Sequence, residues 1–193
     1  MKRLIAITGG IGSGKSVVSR ILEAMGYPVY DCDSRAKQLM DSSERIKSAI
    51  AADISVDVIL PDKTIDRAAL ARIVFADADA LAALNGIVHA EVRADIGRWM
   101  VSLQHELAFV ETAILYQSGI DHMVDEVWDV TAPVEVRIER VMKRNAMDRE
   151  DVINRINSQH FVPVIQHGCV HIIDNTPDVA ILPQIEALLN PKY

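Results

Sequence analysis

The feature that most constrains this chain is a glycine-rich run near its amino terminus, Gly9-Gly10-Ile11-Gly12-Ser13-Gly14-Lys15-Ser16. The run matches the pattern G-x-x-x-x-G-K-[ST] at every specified position. A continuous apolar segment, Lys2–Thr8, comes before it and predicts a strand that is buried on both faces of a sheet. An amphipathic segment, Lys15–Met25, follows and predicts a helix that ends at Gly26. A strand, a glycine-rich loop and a helix in this order indicate an α/β fold with a phosphate-binding loop (P-loop).

The P-loop predicts a nucleoside triphosphate as ligand. Its glycines allow positive φ angles, so that successive backbone N–H groups point at phosphate oxygens, and the helix amino terminus adds a partial positive charge. Lys15 can reach the β- and γ-phosphates, and the hydroxyl of Ser16 can bind Mg²⁺. The alternative is a glycine-rich turn that binds nothing, and the full match in its context disfavours it.

The remaining pattern alternates strands with helices, which predicts an α/β sheet of parallel strands with helices on both faces. The segment 43–104 is helical with a break at 58–66, and it is too long for a simple crossover between strands. We therefore expect a single domain, 1–193, in which 43–104 forms a helical substrate-binding subdomain and 134–161 forms a lid. The core then comprises 1–42, 105–133 and 162–193.

Composition excludes several classes of function. The 193 residues carry a formal net charge of −7, which argues against nucleic acid or an anionic membrane surface as the main partner. No run approaches the roughly 20 apolar residues of a membrane span. We expect a cytoplasmic protein, a monomer or weak homo-oligomer, whose two cysteines, Cys32 and Cys169, are reduced.

Two acids follow the second predicted strand, Tyr27–Asp31. Because ligands of such sheets bind at the carboxyl ends of the strands, Asp31 and Asp33 are candidates to orient a hydroxyl group and accept its proton. The alternative for either residue is an N-cap of the helix predicted from about Ser34.

The segment Val134–Gln159 predicts two helices that carry several arginines. On the first helix, apolar residues and arginines each recur at helical spacing and occupy different faces: Val134, Ile138 and Val141, and Arg137, Arg140 and Arg144. Asp148 is the predicted N-cap of a second helix with Arg149 and Arg155. Arginines suit a lid over phosphates because the guanidinium donates paired hydrogen bonds and stays charged. The alternative is a solvated hairpin paired with its own acids, Glu135, Glu139, Glu150 and Asp151.

These features favour a small-molecule kinase. The chain contains neither the N-K-x-D nor the D-x-x-G pattern of a GTPase, whereas a kinase needs an acid near the acceptor and a lid over the phosphoryl group. Glu111, at the end of the apolar segment "LAFVE", is a further acid that could contact Mg²⁺ or position a ligand; the alternative is an ordinary strand-end acid. Two rivals stay open: a kinase for a nucleoside monophosphate or another alcohol, and a nucleotide-dependent switch without an acceptor.

Six segments in this order resemble the dephospho-coenzyme A kinases: "ITGGIGSGKS", "YDCDSRAK", "IVHAEV", "VETAILYQSGI", "ERVMKRNAMDREDVINRINSQ" and "IIDN". The resemblance covers nearly the whole chain. It implies a P-loop NTPase fold similar to nucleoside monophosphate kinases, with a central parallel five-stranded sheet. It also implies transfer of the γ-phosphoryl group of ATP, with Mg²⁺, to the ribose 3′-hydroxyl of dephospho-coenzyme A (dephospho-CoA).

The resemblance also implies roles for individual residues. Asp33 is the acid that orients the hydroxyl, and Lys15, Arg140 and Arg144 act on the transferring group. The residues implied to bind ATP are Gly10, Ile11, Gly12, Ser13, Gly14, Lys15, Ser16, Val17, Arg140, Arg144 and Asn175, with Ser16 also binding Mg²⁺. Those implied to bind the acceptor are Thr8, Asp31, Asp33, His89, Glu111 and Arg155. The chain departs from the family's usual residues at Val17, Ala90, Glu111, Gln117 and Asn145.

Overall fold

Five strands form one sheet in the computed structural model, which describes residues 2–158 and 167–190. The strands are β1 (Arg3–Thr8), β2 (Val29–Asp31), β3 (Leu107–Glu111), β4 (Glu126–Thr131) and β5 (Val170–Asp174). Their order across the sheet is β2-β3-β1-β4-β5. The pairs β1–β3, β1–β4 and β4–β5 are parallel. The predicted α/β sheet is confirmed, and β1, which leads into the P-loop, lies at its centre.

Eight α-helices connect or flank these strands in the described ranges. They are α1 (Lys15–Ala24), α2 (Cys32–Ser42), α3 (Glu44–Asp53), α4 (Arg67–Ala76), α5 (Ala78–Ser102), α6 (Val134–Asn145), α7 (Arg149–Ser158) and α8 (Ile181–Leu189), with short 3₁₀ helices at Val56–Val58 and Ile120–Met123. Among the helices that the structure describes, none is both long and apolar enough to cross a bilayer.

The chain divides into two compact units. The first runs up to Tyr30 and resumes at Gln104, and the second is Asp31–Leu103. The first unit holds the sheet and helices α1, α6, α7 and α8. The second is helical apart from one isolated bridge, Ile59 with Ile65, within the predicted break. Helix α2 falls in the second unit, and the predicted division of the first unit into core and lid stays a prediction.

The core of the first unit lies against both faces of the sheet. All four central residues of β1, Leu4 to Ile7, are buried, as a strand covered on both sides requires. The rings of Phe109 and Trp128 pack with centroids 5.1 Å apart. Helix α8 adds Ile185 to the same cluster. This packing holds the carboxyl end of β1, where the P-loop begins.

The second unit is built around α5. Its apolar contacts are supplemented by two buried acids, Glu91 and Asp95, that face arginines. Arg98 Nη2 lies 3.0 Å from Glu91 and 3.1 Å from Asp95, and Arg35 Nη2 lies 2.6 Å from the other oxygen of Asp95. Since a buried carboxylate is costly unless it is paired, these bonds allow α5 to pack against its neighbours.

Two details differ from the sequence predictions, and a third lies partly outside the described residues. Helix α2 begins at Cys32 rather than near Ser34, because Asp31 already caps it. Val134 is 53% exposed, since it is the first residue of α6 and precedes the buried positions. The segment predicted to form the two arginine helices ends at Gln159; helix α7 is described to Ser158, and Gln159 lies outside the described residues.

Candidate active site

The P-loop adopts the conformation that its glycines permit. Gly9, Gly12 and Gly14 have φ angles of +140°, +78° and +102°, a region that other residues rarely enter. A Cβ on Gly12 would lie 2.5 Å from the backbone oxygen of Arg137, and a Cβ on Gly14 would collide with Asn175 Nδ2. The loop is therefore narrow as well as left-handed, and side chains at these positions would displace the elements around it.

Lys15 is the first residue of α1, and its side chain folds back over the loop. Its Nζ lies 2.9 Å from the carbonyl oxygen of Gly9 and 3.4 Å from that of Gly10. Ser16 follows it in the first turn of α1, half-buried. The amino end of α1 carries a partial positive charge. An ammonium group, a hydroxyl and a helix amino terminus are thus all contributed by the start of α1, as a phosphate site with a nearby cation requires.

Two further residues hold the P-loop from outside. Asn175, directly after β5, donates from Nδ2 to the backbone oxygen of Ser13 at 2.6 Å. Arg140 of α6 donates to the same oxygen at 3.3 Å and to the backbone oxygen of Asn175 at 2.9 Å. These bonds place Arg140 and Asn175 at the loop.

Arg137 is a site residue that sequence analysis did not assign. It is buried in α6, and its Nε donates to the backbone oxygen of Ile11 at 2.9 Å. Its Nη2 and the hydroxyl of Ser13 are buried and find no partner among the described residues. Two unpaired donors beside a narrow glycine loop fit an anionic group such as a phosphate. The arginine spacing was visible in the sequence, whereas the burial of Arg137 was not.

Asp129 is a site residue that sequence analysis did not single out. It lies in β4, paired in register with Thr8, and it is buried. Burial raises the pKa of this carboxyl group, while the charges of Lys15 and Arg137 lower it in part. The same burial lowers the pKa of Arg137, opposed by Asp129. The site therefore holds two cations and an acid within electrostatic reach of one another. No signal in the apolar segment "EVWDVT" distinguishes this acid.

Two of the residues predicted to bind the phosphoryl acceptor lie at the ends of strands in the first unit. Thr8 ends β1, and Glu111 ends β3. Glu111 Oε2 accepts a hydrogen bond from Ser19 Oγ of α1 at 2.6 Å. The carboxylate is thereby attached to the helix that follows the P-loop.

Helices α6 and α7, which form the arginine hairpin, make an apolar contact with the P-loop. Ile138 and Val141 of α6 pack with Val152 and Ile156 of α7, and Ile11 packs against this cluster. The predicted N-cap is confirmed, since Asp148 Oδ1 accepts from the Asp151 N–H at 2.9 Å.

The three outer arginines of the hairpin are all exposed. Arg144 donates from Nε to Asn145 Oδ1 at 2.9 Å, and Arg149 pairs with Glu135 at 2.7 Å. Arg155 lies on α7, and Gln159, which completes its quoted pattern, is outside the described residues. The alternative of a solvated hairpin paired with its own acids holds for Arg149, whereas Arg137 and Arg140 bond to the P-loop backbone.

The second unit contains the two candidate acids at the start of α2. Asp31 is the N-cap: its Oδ1 accepts from the N–H groups of Asp33 at 3.0 Å and Ser34 at 3.2 Å. Asp33 stands in the first turn, exposed, and its carboxylate has no hydrogen-bond partner in the described part of the chain. The capping alternative is thus confirmed for Asp31 and wrong for Asp33, whose carboxylate is left available.

His89 lies half-buried on α5 in the second unit. Burial lowers its pKa, and the charge of Arg93, one turn along the helix, lowers it further. The imidazole is therefore neutral at physiological pH in the folded chain.

We expect this shift to make the second unit less stable in acid. Below about pH 6.5 the unfolded chain binds a proton at His89 that the folded chain binds more weakly, so the free energy of unfolding falls as the pH falls. His89→Gln should reduce this loss between about pH 7 and pH 5.5, measured by urea unfolding at each pH. His105→Gln, at an exposed histidine, is the control. An equal loss in wild type and His89→Gln would contradict the assignment.

A parallel sheet with a P-loop after its central strand, and an arginine-bearing helix against that loop, defines a P-loop kinase. Residues 3–178 match the family model for dephospho-CoA kinase. The chain belongs to this family, as the sequence resemblance predicted.

Similar proteins cover nearly the whole chain. A dephospho-CoA kinase of Porphyromonas gingivalis is 40% identical over 186 residues, covering 96% of this chain and 92% of that protein. A dephospho-CoA kinase of Bacillus licheniformis is 34% identical, covering 91% and 89%. A crystal structure of a Thermus thermophilus protein aligns with a TM-score of 0.78 at 33% identity, covering 97% and 96% of the two chains. Shikimate kinase from Acinetobacter baumannii, at 14% identity and a TM-score of 0.51 over 98% and 93%, shares the fold alone.

Proposed function

We infer that this chain transfers the γ-phosphoryl group of ATP to the ribose 3′-hydroxyl of dephospho-CoA, giving coenzyme A and ADP. The observation that carries the inference is the P-loop with Arg137 and Arg140 bonded to its backbone oxygens, in a chain of the dephospho-CoA kinase family. A loop, a lysine and arginines are what phosphoryl transfer requires, because the reaction depends mainly on positioning and on stabilising negative charge.

We assign the donor side of the reaction to the first unit. The loop backbone from Gly12 to Ser16 and the amino end of α1 bind the phosphates of ATP, and Lys15 exchanges its carbonyl partners for phosphate oxygens. Arg140 then neutralises charge at the loop. Arg137, whose Nη2 lacks a partner among the described residues, donates to the same anion. Val17, exposed on α1, remains a proposed contact with ATP, as the family resemblance implies.

We assign the acceptor hydroxyl to Asp33. Its carboxylate is exposed and not engaged in capping, so it is available to accept a hydrogen bond from a substrate hydroxyl. Asp31 supports it by fixing the first turn of α2. Thr8, His89, Glu111 and Arg155 remain the proposed contacts with the rest of dephospho-CoA, as the family resemblance implies.

The oxygen donors at the loop fit Mg²⁺. The cation prefers hard oxygen ligands and keeps several waters, and the hydroxyl of Ser16 at the start of α1 is such a ligand. When bound, Mg²⁺ would neutralise charge on the β- and γ-phosphates.

A cytoplasmic location and a monomeric or weakly associated state also remain predictions.

The test is acceptor-dependent release of ADP. The purified chain is incubated with Mg·ATP and a panel of acceptors: dephospho-CoA, nucleoside monophosphates, and coenzyme A, whose 3′-hydroxyl is already phosphorylated. We expect ADP with dephospho-CoA and none above background with coenzyme A, which is the matched acceptor without the reacting group. Preference for a nucleoside monophosphate would favour the first rival. ADP release independent of any acceptor would overturn the kinase assignment.

We expect Arg144→Ala to lower kcat/KM by about tenfold or more, since a hydrogen bond to a charged group contributes about 1.5–3 kcal/mol. Because Arg144 is exposed and bonded only to its neighbour Asn145 in the described residues, the thermal midpoint should hardly change. Arg149→Ala is the matched control, an exposed arginine of the same hairpin paired with Glu135. Equal kcat/KM in the two variants would return Arg144 to a solvated surface role.

A further inference from the structure

Three side chains of different chemistry converge at the amino ends of strands β4 and β5. Glu126, Cys169 and His171 each offer one ligand atom, and these atoms all lie within 4.8 Å of one another. None of the three takes part in the phosphate site. We propose that they form a binding site for a divalent transition-metal ion, with Zn²⁺ as the ion that suits the donor set.

The sheet register places these side chains on one face. Trp128 pairs with His171, so that Glu126, two residues earlier, lies opposite Cys169. The backbone N–H of Val127 donates to the backbone oxygen of Cys169 at 3.0 Å. Side chains two residues apart on an extended strand point the same way. Cys169 and His171 therefore both lie on the same face of the sheet as Glu126. The backbone pairing of β4 with β5 holds the three side chains together.

The distances fit a small tetrahedral ion. Cys169 Sγ lies 3.4 Å from His171 Nε2, and His171 Nε2 lies 3.5 Å from Glu126 Oε2. Zinc bonds of about 2.3 Å to sulfur and about 2.0–2.1 Å to nitrogen or oxygen at tetrahedral angles place such ligand atoms about 3.4–3.6 Å apart. Two of the three separations therefore match those of a zinc site, and the third, between Cys169 and Glu126, is at most 4.8 Å.

The donor chemistry selects the type of metal. A thiolate, an imidazole and a carboxylate together favour a borderline ion such as Zn²⁺ over Mg²⁺ or Ca²⁺, which prefer oxygen ligands. On binding, the thiol of Cys169 loses its proton to solvent and its sulfur forms the metal bond. Three protein ligands leave a fourth position for water, which is consistent with the half-buried state of all three side chains.

Neighbouring groups already orient the ligands. Arg3 pairs with Oε1 of Glu126, which leaves Oε2 turned toward His171. The Cys169 N–H donates to His167 Nδ1 at 3.2 Å, and His167 Nε2 lies 3.0 Å from the Val124 oxygen. This arrangement ties the turn before β5 to the segment before β4, and so fixes Cys169 beside Glu126. Contacts of this kind around a ligand raise metal affinity.

The cluster is separate from the phosphate site. Glu126 pairs in register with Ile5, four residues before the P-loop begins at Gly9, and at about 3.3 Å per residue this is about 13 Å along the sheet. An ion here would act on the fold rather than on the reacting phosphate. By binding the folded chain and not the unfolded one, it would raise the thermal midpoint.

The test is a titration of the full chain, free of tags, metal-depleted and kept reduced, with Co²⁺ as a spectroscopic substitute for Zn²⁺ and without nucleotide. We expect one equivalent to bind with a thiolate-to-cobalt charge-transfer band, which Zn²⁺ abolishes by displacement. Cys169→Ser should remove the band. His171→Gln and Glu126→Gln should each weaken binding more than about tenfold, since even changes next to a ligand cost about 10–100-fold. Cys32→Ser, at the other cysteine, should keep the band.

A second readout covers variants whose fold is disturbed. Zn²⁺ should raise the thermal midpoint of wild type and Cys32→Ser, and should leave that of Cys169→Ser and His171→Gln unchanged. Circular dichroism of the metal-free variants checks that each is folded. The absence of a thiolate band in wild type, its persistence in Cys169→Ser, or its loss in Cys32→Ser would overturn the proposal.

Discussion

Asp33→Asn should lower kcat by on the order of 10²-fold or more while the affinity for ATP stays close to that of wild type. The amide has nearly the shape of the carboxylate, yet it cannot accept the proton of the attacking hydroxyl. Because the Asp33 side chain is exposed and does not cap α2, the substitution should leave the fold intact. Steady-state kinetics with dephospho-CoA, together with direct ATP binding, separate the two effects.

Two matched variants sharpen this test. Asp41→Asn changes another exposed acid of α2, one that pairs with Arg67, and should keep kcat near the wild-type value. Asp31→Ala removes the cap, so it should cost about 1 kcal/mol of stability through α2. If Asp33→Asn turns over as fast as Asp41→Asn, then Asp33 has no part in the chemistry.

Lys15→Met should lower kcat/KM by on the order of 10²- to 10³-fold, the usual cost of removing a group that stabilises developing charge. Methionine keeps most of the side chain's length and apolar stem but donates no hydrogen bond. The loss should appear in kcat as well as in the KM for ATP, because the ammonium group contacts the phosphates that change charge during transfer.

The control for this variant is Lys47→Met. Lys47 pairs with Glu44 on α3 at 2.9 Å, and its loss should cost a few tenths of a kcal/mol at most. Thermal unfolding of both variants distinguishes lost chemistry from lost structure. A kcat/KM for Lys15→Met within a factor of about ten of wild type would contradict the proposed role.

The sheet, the P-loop and the family were predictable because each depends on short stretches of sequence. The P-loop is a contiguous pattern between a buried strand and a helix, and the structure confirms its conformation at Gly12 and Gly14. By contrast, the clamp that Arg137 and Arg140 form on the loop joins positions more than 120 residues apart. Spacing along α6 showed that these arginines share a face but not which of them is buried.

Two other outcomes show which features of the site the sequence alone does not determine. From the residues alone, Asp31 and Asp33 were both candidates for capping and for chemistry, and it is the start of α2 at Cys32 that makes Asp31 the cap. Asp129 could not be singled out from the sequence, because it lies inside an apolar strand. What marks it in the structure is its interaction with the charges of Lys15 and Arg137. The residues that sequence analysis missed are thus those whose surroundings come from distant parts of the chain.

The bond from Asn175 to Ser13 has a consequence for how the chain is made. It joins residues 162 positions apart and wedges Asn175 against Gly14. At a synthesis rate of about 5–20 residues per second, the P-loop emerges roughly ten to thirty seconds before the residue that holds it. The P-loop is therefore synthesised well before Asn175, which stabilises it. Nucleotide affinity should arise late in translation, when β5 packs beside β4.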